Sequence, residues 1–267
     1  MSSLLSAAIL GIIQGVTEFL PVSSTGHLII AEHLLGVSGN TLGLSFDIAL
    51  HVGSALALIL LFWKDIVKII GDSVAKKTPS RLLVALIIAT IPAGIAGVLF
   101  EHAIEKMFRS PTTVAVSLLI FSAPLLLADY LTKKSRENAQ QTVTPIHAAI
   151  IGICQAIAVI PGVSRSGSTI TGALLTGYNR TTAARFAFLL SIPIILLAGV
   201  KQTIDIVKEG TVLSSDQLLF FAVGFISSFI VAYLVVRWFL SFFQKFGFFP
   251  FVIYRVLLAM GIFLFLK

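Results

Sequence analysis

Six stretches of this chain, about 47 to 63, 82 to 100, 112 to 130, 183 to 200, 217 to 237 and 249 to 266, are apolar and nearly free of charge. Each approaches the roughly 20 helical residues needed to cross a hydrocarbon core, and inside that core only closed backbone hydrogen bonding is tolerated. These runs predict an all-α polytopic membrane protein with six transmembrane helices. Composition agrees, because 57% of the 267 residues are hydrophobic and only 12% are charged. A soluble bundle would instead alternate apolar and polar faces. The net charge of +7 does not point to nucleic acid, since the basic residues are scattered through short loops rather than gathered on one face. Cys154 is the single cysteine, which excludes a disulfide framework and a thiolate metal site.

Four shorter apolar segments remain, 4 to 20 and 22 to 36, then 146 to 160 and 163 to 177. The first pair meets at Pro21 and a Ser-Ser-Thr-Gly run, and the second at Pro161-Gly162. Segments this short, joined at helix breakers, predict two re-entrant hairpins rather than four spans. Lys64, Lys68, Lys76, Lys77 and Arg81 place loop 64 to 81 in the cytoplasm, and Lys133, Lys134 and Arg136 place loop 131 to 145 there too. The loops 101 to 111 and 201 to 216 mix acidic and basic residues and belong outside, as do both termini.

The two hairpins repeat at an offset of 141 residues: Gly11 falls on Gly152, Gln14 on Gln155, Ser23 on Ser164, Thr25 on Ser166 and Gly26 on Gly167. Each half is one hairpin followed by three spans. An odd number of crossings inverts the second half, so residues 1–267 read as one membrane domain containing an inverted-topology repeat, about 1–130 and about 146–267. The hairpin tips can then meet near the bilayer midplane.

Those tips carry the chemistry. Glu18, His27 and Arg165 are ionisable groups at membrane depth, where a charge costs several kcal/mol unless it is paired or hydrated. A purely structural Glu18–Arg165 ion pair is one reading. The other is a phosphate site, because the helices after each break begin with hydroxyl residues and glycine, leave backbone N–H groups free for an anion, and include a guanidinium whose fork matches two phosphate oxygens. Gln14 and Glu18 share one helix face and look toward the tip. Glu18 could serve as a base or hold a divalent ion, and His27 lies within reach of Ser23 and Ser24 for proton exchange. Asp47 and His51 share a face of the first span as candidate neighbours of the site. Arg255 lies in the last span, where it pairs internally, snorkels or touches substrate.

Residues 14 to 27, QGVTEFLPVSSTGH, and 161 to 169, PGVSRSGST, resemble the two signature motifs of the undecaprenyl-diphosphate phosphatase family of the bacitracin-resistance type. The similarity extends to FPFVIYR at 249 to 255. The first position of the glutamate motif is Gln14 here, which leaves Glu18 as its only carboxylate. The resemblance implies hydrolysis of undecaprenyl diphosphate to the monophosphate carrier lipid of wall synthesis, and with it bacitracin resistance. It also implies a divalent cation, Mg or Ca, a bacterial plasma (inner) membrane location, a pocket open to the extracytoplasmic side, and a homodimer. By motif, Glu18 becomes base or metal ligand with Gln14 nearby, Ser24 the nucleophile, His27 the proton-transfer group and Arg165 the phosphate clamp. Ser23, Thr25, Gly26, Ser164, Ser166 and Thr169 become hydroxyl or backbone donors to phosphate.

A transporter or flippase for an anion or polyprenyl phosphate is the competing class, since broken helices in an inverted repeat suit a carrier equally well. The cluster of Glu18, Ser24 and His27 favours hydrolysis, because a carrier needs no nucleophile. A second membrane phosphatase type that also uses Ser-Gly-His and Ser-Arg elements is excluded, as it requires a later histidine and none follows His147.

Overall fold

A computed structural model of the chain describes residues 3–36, 43–134, 143–210 and 213–266, and among these every regular element is a helix. The broken hairpins comprise α1 (Ser3–Thr17) with α2 (Ser24–Leu35), and α8 (Pro145–Ile157) with α9 (Arg165–Leu175). Between them run α3 (Gly43–Leu61), α4 (Trp63–Ala75), α5 (Arg81–Phe108), α6 (Pro111–Ile120) and α7 (Ser122–Lys134); α10 (Arg180–Lys208), α11 (Ser215–Phe246) and α12 (Phe249–Phe265) complete the chain. Residues 135 to 142, among them Arg136, and residues 37 to 42 lie outside the described set.

Local chemistry explains the boundaries. Ser80, Ser110, Thr144, Asn179 and Ser214 each accept a hydrogen bond from the N–H three residues on, which satisfies one of the donors that the start of a helix leaves without a partner. Pro111 and Pro145 stand in first helical turns, where a missing N–H costs nothing.

Five helices or helix pairs are long and apolar enough to cross a membrane: Gly43–Leu61, Arg81–Phe100, Pro111–Thr132, Arg180–Lys208 and Ser215–Phe246. The expected sixth span, 249 to 266, is α12, only 17 residues long. At 1.5 Å per residue that is about 26 Å, short of the roughly 30 Å core. Gly247, at φ 67°, ends α11 immediately before it, so two helices divide the apolar sequence here. The protein is a multi-pass membrane protein, and its surface agrees: Val98, Leu99, Leu264 and Phe265 are exposed where a soluble fold would bury them.

Two close helix contacts frame the hairpins. Helix α1 lies along α11, with Gly15 so near that a Cβ there would sit 2.7 Å from the Ser228 carbonyl. Helix α8 lies along α5 in the same manner, with Gly152 against the Ala89 carbonyl. Small residues at such crossings let backbones approach where no hydrophobic force separates helix from lipid. Beneath the tips an aromatic core closes the interior, Phe19 packing edge-on to Phe188 at 5.5 Å and Phe188 against Phe239 at 5.6 Å.

Candidate active site

Both breaks use the same backbone device. Ser23 adopts φ 72°, ψ 95° and Ser164 adopts φ 78°, ψ 111°, a left-handed φ that non-glycine residues avoid. Such strain persists where the surroundings hold it. Here each serine side chain caps its own helix, Gly26 N donating to Ser23 Oγ at 3.4 Å and Gly167 N to Ser164 Oγ at 3.2 Å. The first turns of α2 and α9 consequently face the break with N–H groups that no helical carbonyl can reach.

The tips are joined directly. Gly162 N donates to Ser23 Oγ at 3.1 Å, and Ser166 Oγ donates to Leu20 O at 2.9 Å. Arg255, fully buried on α12, completes the junction. Its guanidinium donates to Pro21 O on one tip and to Gly162 O and Val163 O on the other, at 3.1 to 3.2 Å, and also to Leu118 O and Ser122 Oγ. No carboxylate is among these partners, so the charge is solvated by peptide dipoles. A buried charge is retained only when hydrogen-bonded this fully.

Glu18 sits where the tips meet, 3% exposed. Its Oε2 accepts from Ser24 Oγ at 2.6 Å and from Gln14 Nε2 at 2.8 Å, while Oε1 is ion-paired with Arg165. His51 Nε2 lies 3.3 Å from Oε2. Because His51 Nδ1 donates to the Asp47 carbonyl at 2.7 Å, that contact is attractive only when the imidazole carries both protons. The structure therefore brings Gln14, Glu18, Ser24, His51 and Arg165 together around one carboxylate.

Other candidates stand elsewhere. The hydrogen bonds of His27 go to groups other than the Ser24 hydroxyl. Its Nδ1 donates to Ser23 O at 2.7 Å, which leaves Nε2 to accept from Tyr254 Oη at 2.7 Å, and the two rings stack at 5.6 Å. Asp47, a candidate neighbour of the site, turns its carboxylate to Arg109 at 2.7 Å, with Glu32 3.4 Å from the same guanidinium nitrogen. Only the Asp47 peptide carbonyl reaches the site, through His51.

Four of the hydroxyls expected at phosphate also build the tips. Ser23 and Ser164 are caps, Ser166 bonds the opposite tip, and Thr169 Oγ1 turns back onto Arg165 O at 2.8 Å and Ser166 O at 3.1 Å. The reason is geometric, since a short hydroxyl at a helix start reaches its own backbone before it reaches a ligand. Ser24, half-buried Thr25 and the first-turn N–H groups remain as donors toward the break. Gly26 contributes closeness, because a Cβ there would lie 2.8 Å from Val114 on α6.

Tyr254 and His51 carry more of the site than sequence reasoning assigns them. A tyrosine beside a buried arginine within an apolar helix was the available signal, since a phenol in such surroundings seeks a partner for its hydroxyl.

Among the described residues no three of His, Cys, Asp and Glu gather as metal ligands. The donor set does fit a cation that takes most of its ligands from substrate, because Gln14 Oε1 is buried without a hydrogen-bond partner beside the Glu18 carboxylate.

The chain is similar to known proteins over nearly its whole length. The family described as bacitracin resistance protein BacA matches residues 7–261. An undecaprenyl-diphosphatase of Saccharophagus degradans is 44% identical over 265 residues, covering 97% of each chain. Proteins of the same name from Rubrobacter xylanophilus (42% over 267 residues, 97% of each) and Thermodesulfovibrio yellowstonii (43% over 264 residues, 99% of this chain and 98% of the other) are similar in the same way.

Proposed function

The chain belongs to the bacitracin resistance protein BacA family, and on that premise we propose that it hydrolyses undecaprenyl diphosphate to undecaprenyl phosphate and inorganic phosphate, with Ser24 as the attacking group. This reaction recycles the carrier lipid of cell-wall synthesis and underlies bacitracin resistance. The observation that carries the assignment is the 2.6 Å hydrogen bond from Ser24 Oγ to Glu18 Oε2, which aims a hydroxyl and its base at the junction of two anion-binding helix starts. His27, by contrast, has both ring nitrogens engaged by Ser23 and Tyr254.

The terminal phosphate approaches the first turns of α2 and α9, and Arg165 exchanges Glu18 for phosphate oxygens. Glu18 Oε2, which already accepts from Ser24 Oγ, takes the Ser24 proton. The Ser24 Oγ–P bond forms as the bridging P–O bond breaks, and undecaprenyl phosphate departs with the bridging oxygen, receiving the proton from Glu18. Water then attacks the phosphoserine, giving its proton to Glu18, which returns one to Ser24 Oγ as inorganic phosphate leaves. His27 and Tyr254 form a proton-exchanging pair at the rim of the tip. Mg or Ca, held by Glu18 and Gln14 Oε1, would supply charge neutralisation on the diphosphate oxygens.

We further propose six membrane-crossing segments, α12 included, and two re-entrant hairpins in an inverted repeat. The matched turns at Ser23 and Ser164 and the paired crossings of α1 on α11 and α8 on α5 support the repeat. The lysine-rich segment 64 to 81 supports a site open to the extracytoplasmic side of the plasma membrane, and the family resemblance supports a homodimer. Phosphate release from a C55 prenyl diphosphate by purified protein, with and without chelator, tests the reading. Release that chelation abolishes is expected; transbilayer movement of prenyl phosphate without release would assign the site to transport instead.

A further inference from the structure

Away from the tips, α4, α5 and α10 border an open-sided cavity of about 790 Å³, with half-exposed Ile87, Ile91 and Leu197 at its mouth. Ile66, Ile69, Leu86, Gly94, Leu189 and Leu196 are among its lining, and its one hydroxyl, Thr90 Oγ1, is turned back onto Leu86 O at 2.7 Å. This volume falls within the range of pockets that hold small ligands, yet its walls offer nothing polar to fix one. The corresponding seam in the other half, α3 against α11, is shut: Ser54 and Ser228 hydrogen-bond across it at 2.7 Å, and Ser228 donates to Leu50 O. The repeat is thus open on one side only.

The helix that borders the opening is unusual. On α4, Ile66 and Ile69 turn inward, while Trp63, Val67, Ile70 and Val74, spaced at three and four residues, form an exposed apolar stripe. Exposed Lys64 and Lys68 flank that stripe, Lys76 and Lys77 follow its end, and Asp65 ties the helix to Arg185 of α10 at 2.9 Å. An amphipathic helix with lysines beside its apolar face lies in a membrane interface, and its lysines attract anionic headgroups.

We propose that this cavity and α4 form a binding site for an anionic phospholipid, one acyl chain occupying the cavity and the headgroup phosphate meeting Lys64 and Lys68. The apolar lining accounts for the chain and the lysines for the sign of the headgroup. The site is separate from the Glu18 junction, so its failure leaves the phosphatase reading untouched.

The test is native mass spectrometry of detergent-purified protein offered phosphatidylglycerol and phosphatidylcholine in equal amounts. Wild type should retain phosphatidylglycerol about tenfold over phosphatidylcholine, as expected for two lysines near a headgroup. Lys64→Glu with Lys68→Glu should erase that preference. Gly94→Leu, at a lining position where a Cβ meets nothing within 4 Å, should reduce retention of both lipids. Unchanged phosphatase rates would certify that both variants are folded. Equal retention of the two lipids by wild type, or undiminished phosphatidylglycerol on both variants, overturns the proposal. Displacement of phosphatidylglycerol by undecaprenyl phosphate also overturns it, since the cavity then belongs to the substrate.

Discussion

The two hairpin tips share a backbone and differ in chemistry. Ser23 and Ser164 take the same left-handed turn and cap their helices through the same N–H three residues on. At the next position one tip has Ser24 and the other Arg165; five residues before each of those turns stand Glu18 in the first hairpin and Val159 in the second. The matched strained turn leaves first-turn N–H groups facing the break in both hairpins. On the proposed function, these single side-chain differences make one tip the reacting half and the other the clamp. On that reading the matched turns set where an anion binds, while the differences between the tips decide what happens to it.

If that division holds, the reacting tip should be the more sensitive. Ser24→Ala should lower turnover by about 10⁴-fold or more, as removal of a nucleophile does, while leaving substrate binding largely intact. A loss of only 10- to 100-fold would reduce Ser24 to a hydrogen-bond donor. On the clamp, Arg165→Lys keeps the charge but loses the fork, and should cost about 10²- to 10³-fold in kcat/KM. Near-normal rates in Arg165→Ala would remove the clamp from the account.

The junction between the tips ranks next. Tyr254→Phe removes the partner of His27 Nε2 and leaves the ring stack, so kcat should fall about tenfold with KM little changed. An unchanged rate would make His27 a structural residue. The smallest effect compares the caps themselves. Ser23 Oγ accepts from both tips, whereas Ser164 Oγ receives a backbone N–H only from its own helix. Ser23→Ala should therefore lower the Tm of the purified protein more than Ser164→Ala, by the equivalent of about 1 kcal/mol. Equal shifts would mean that the Gly162–Ser23 bond contributes nothing.

The sequence made the breaks at Pro21 and Pro161-Gly162 legible because helix termination is local chemistry. It also showed the 141-residue match between the two tips and singled out Glu18 and Arg165, since an ionisable group beside an apolar run stands out without any structure. What it could not supply were pairings set by tertiary packing. His27 and Tyr254 are 227 residues apart, and nothing near either names the other. Asp47 and His51 lie on one helix face, yet packing against α1 and the α5–α6 turn sends His51 to Glu18 and the Asp47 carboxylate to Arg109. The tip serines are harder to read from sequence for the opposite reason, because a residue type that binds phosphate also caps helices, and Ser23 and Ser164 do cap theirs from a left-handed turn.

The central claim is that Ser24 carries the phosphoryl group between two displacements. The most direct measurement is the stereochemical course at phosphorus, using undecaprenyl diphosphate made chiral at its terminal phosphorus with sulfur and oxygen isotopes and hydrolysed in isotopic water. Attack by Ser24 followed by water inverts the centre twice, so overall retention is predicted. Overall inversion would establish a single attack by water and contradict the account.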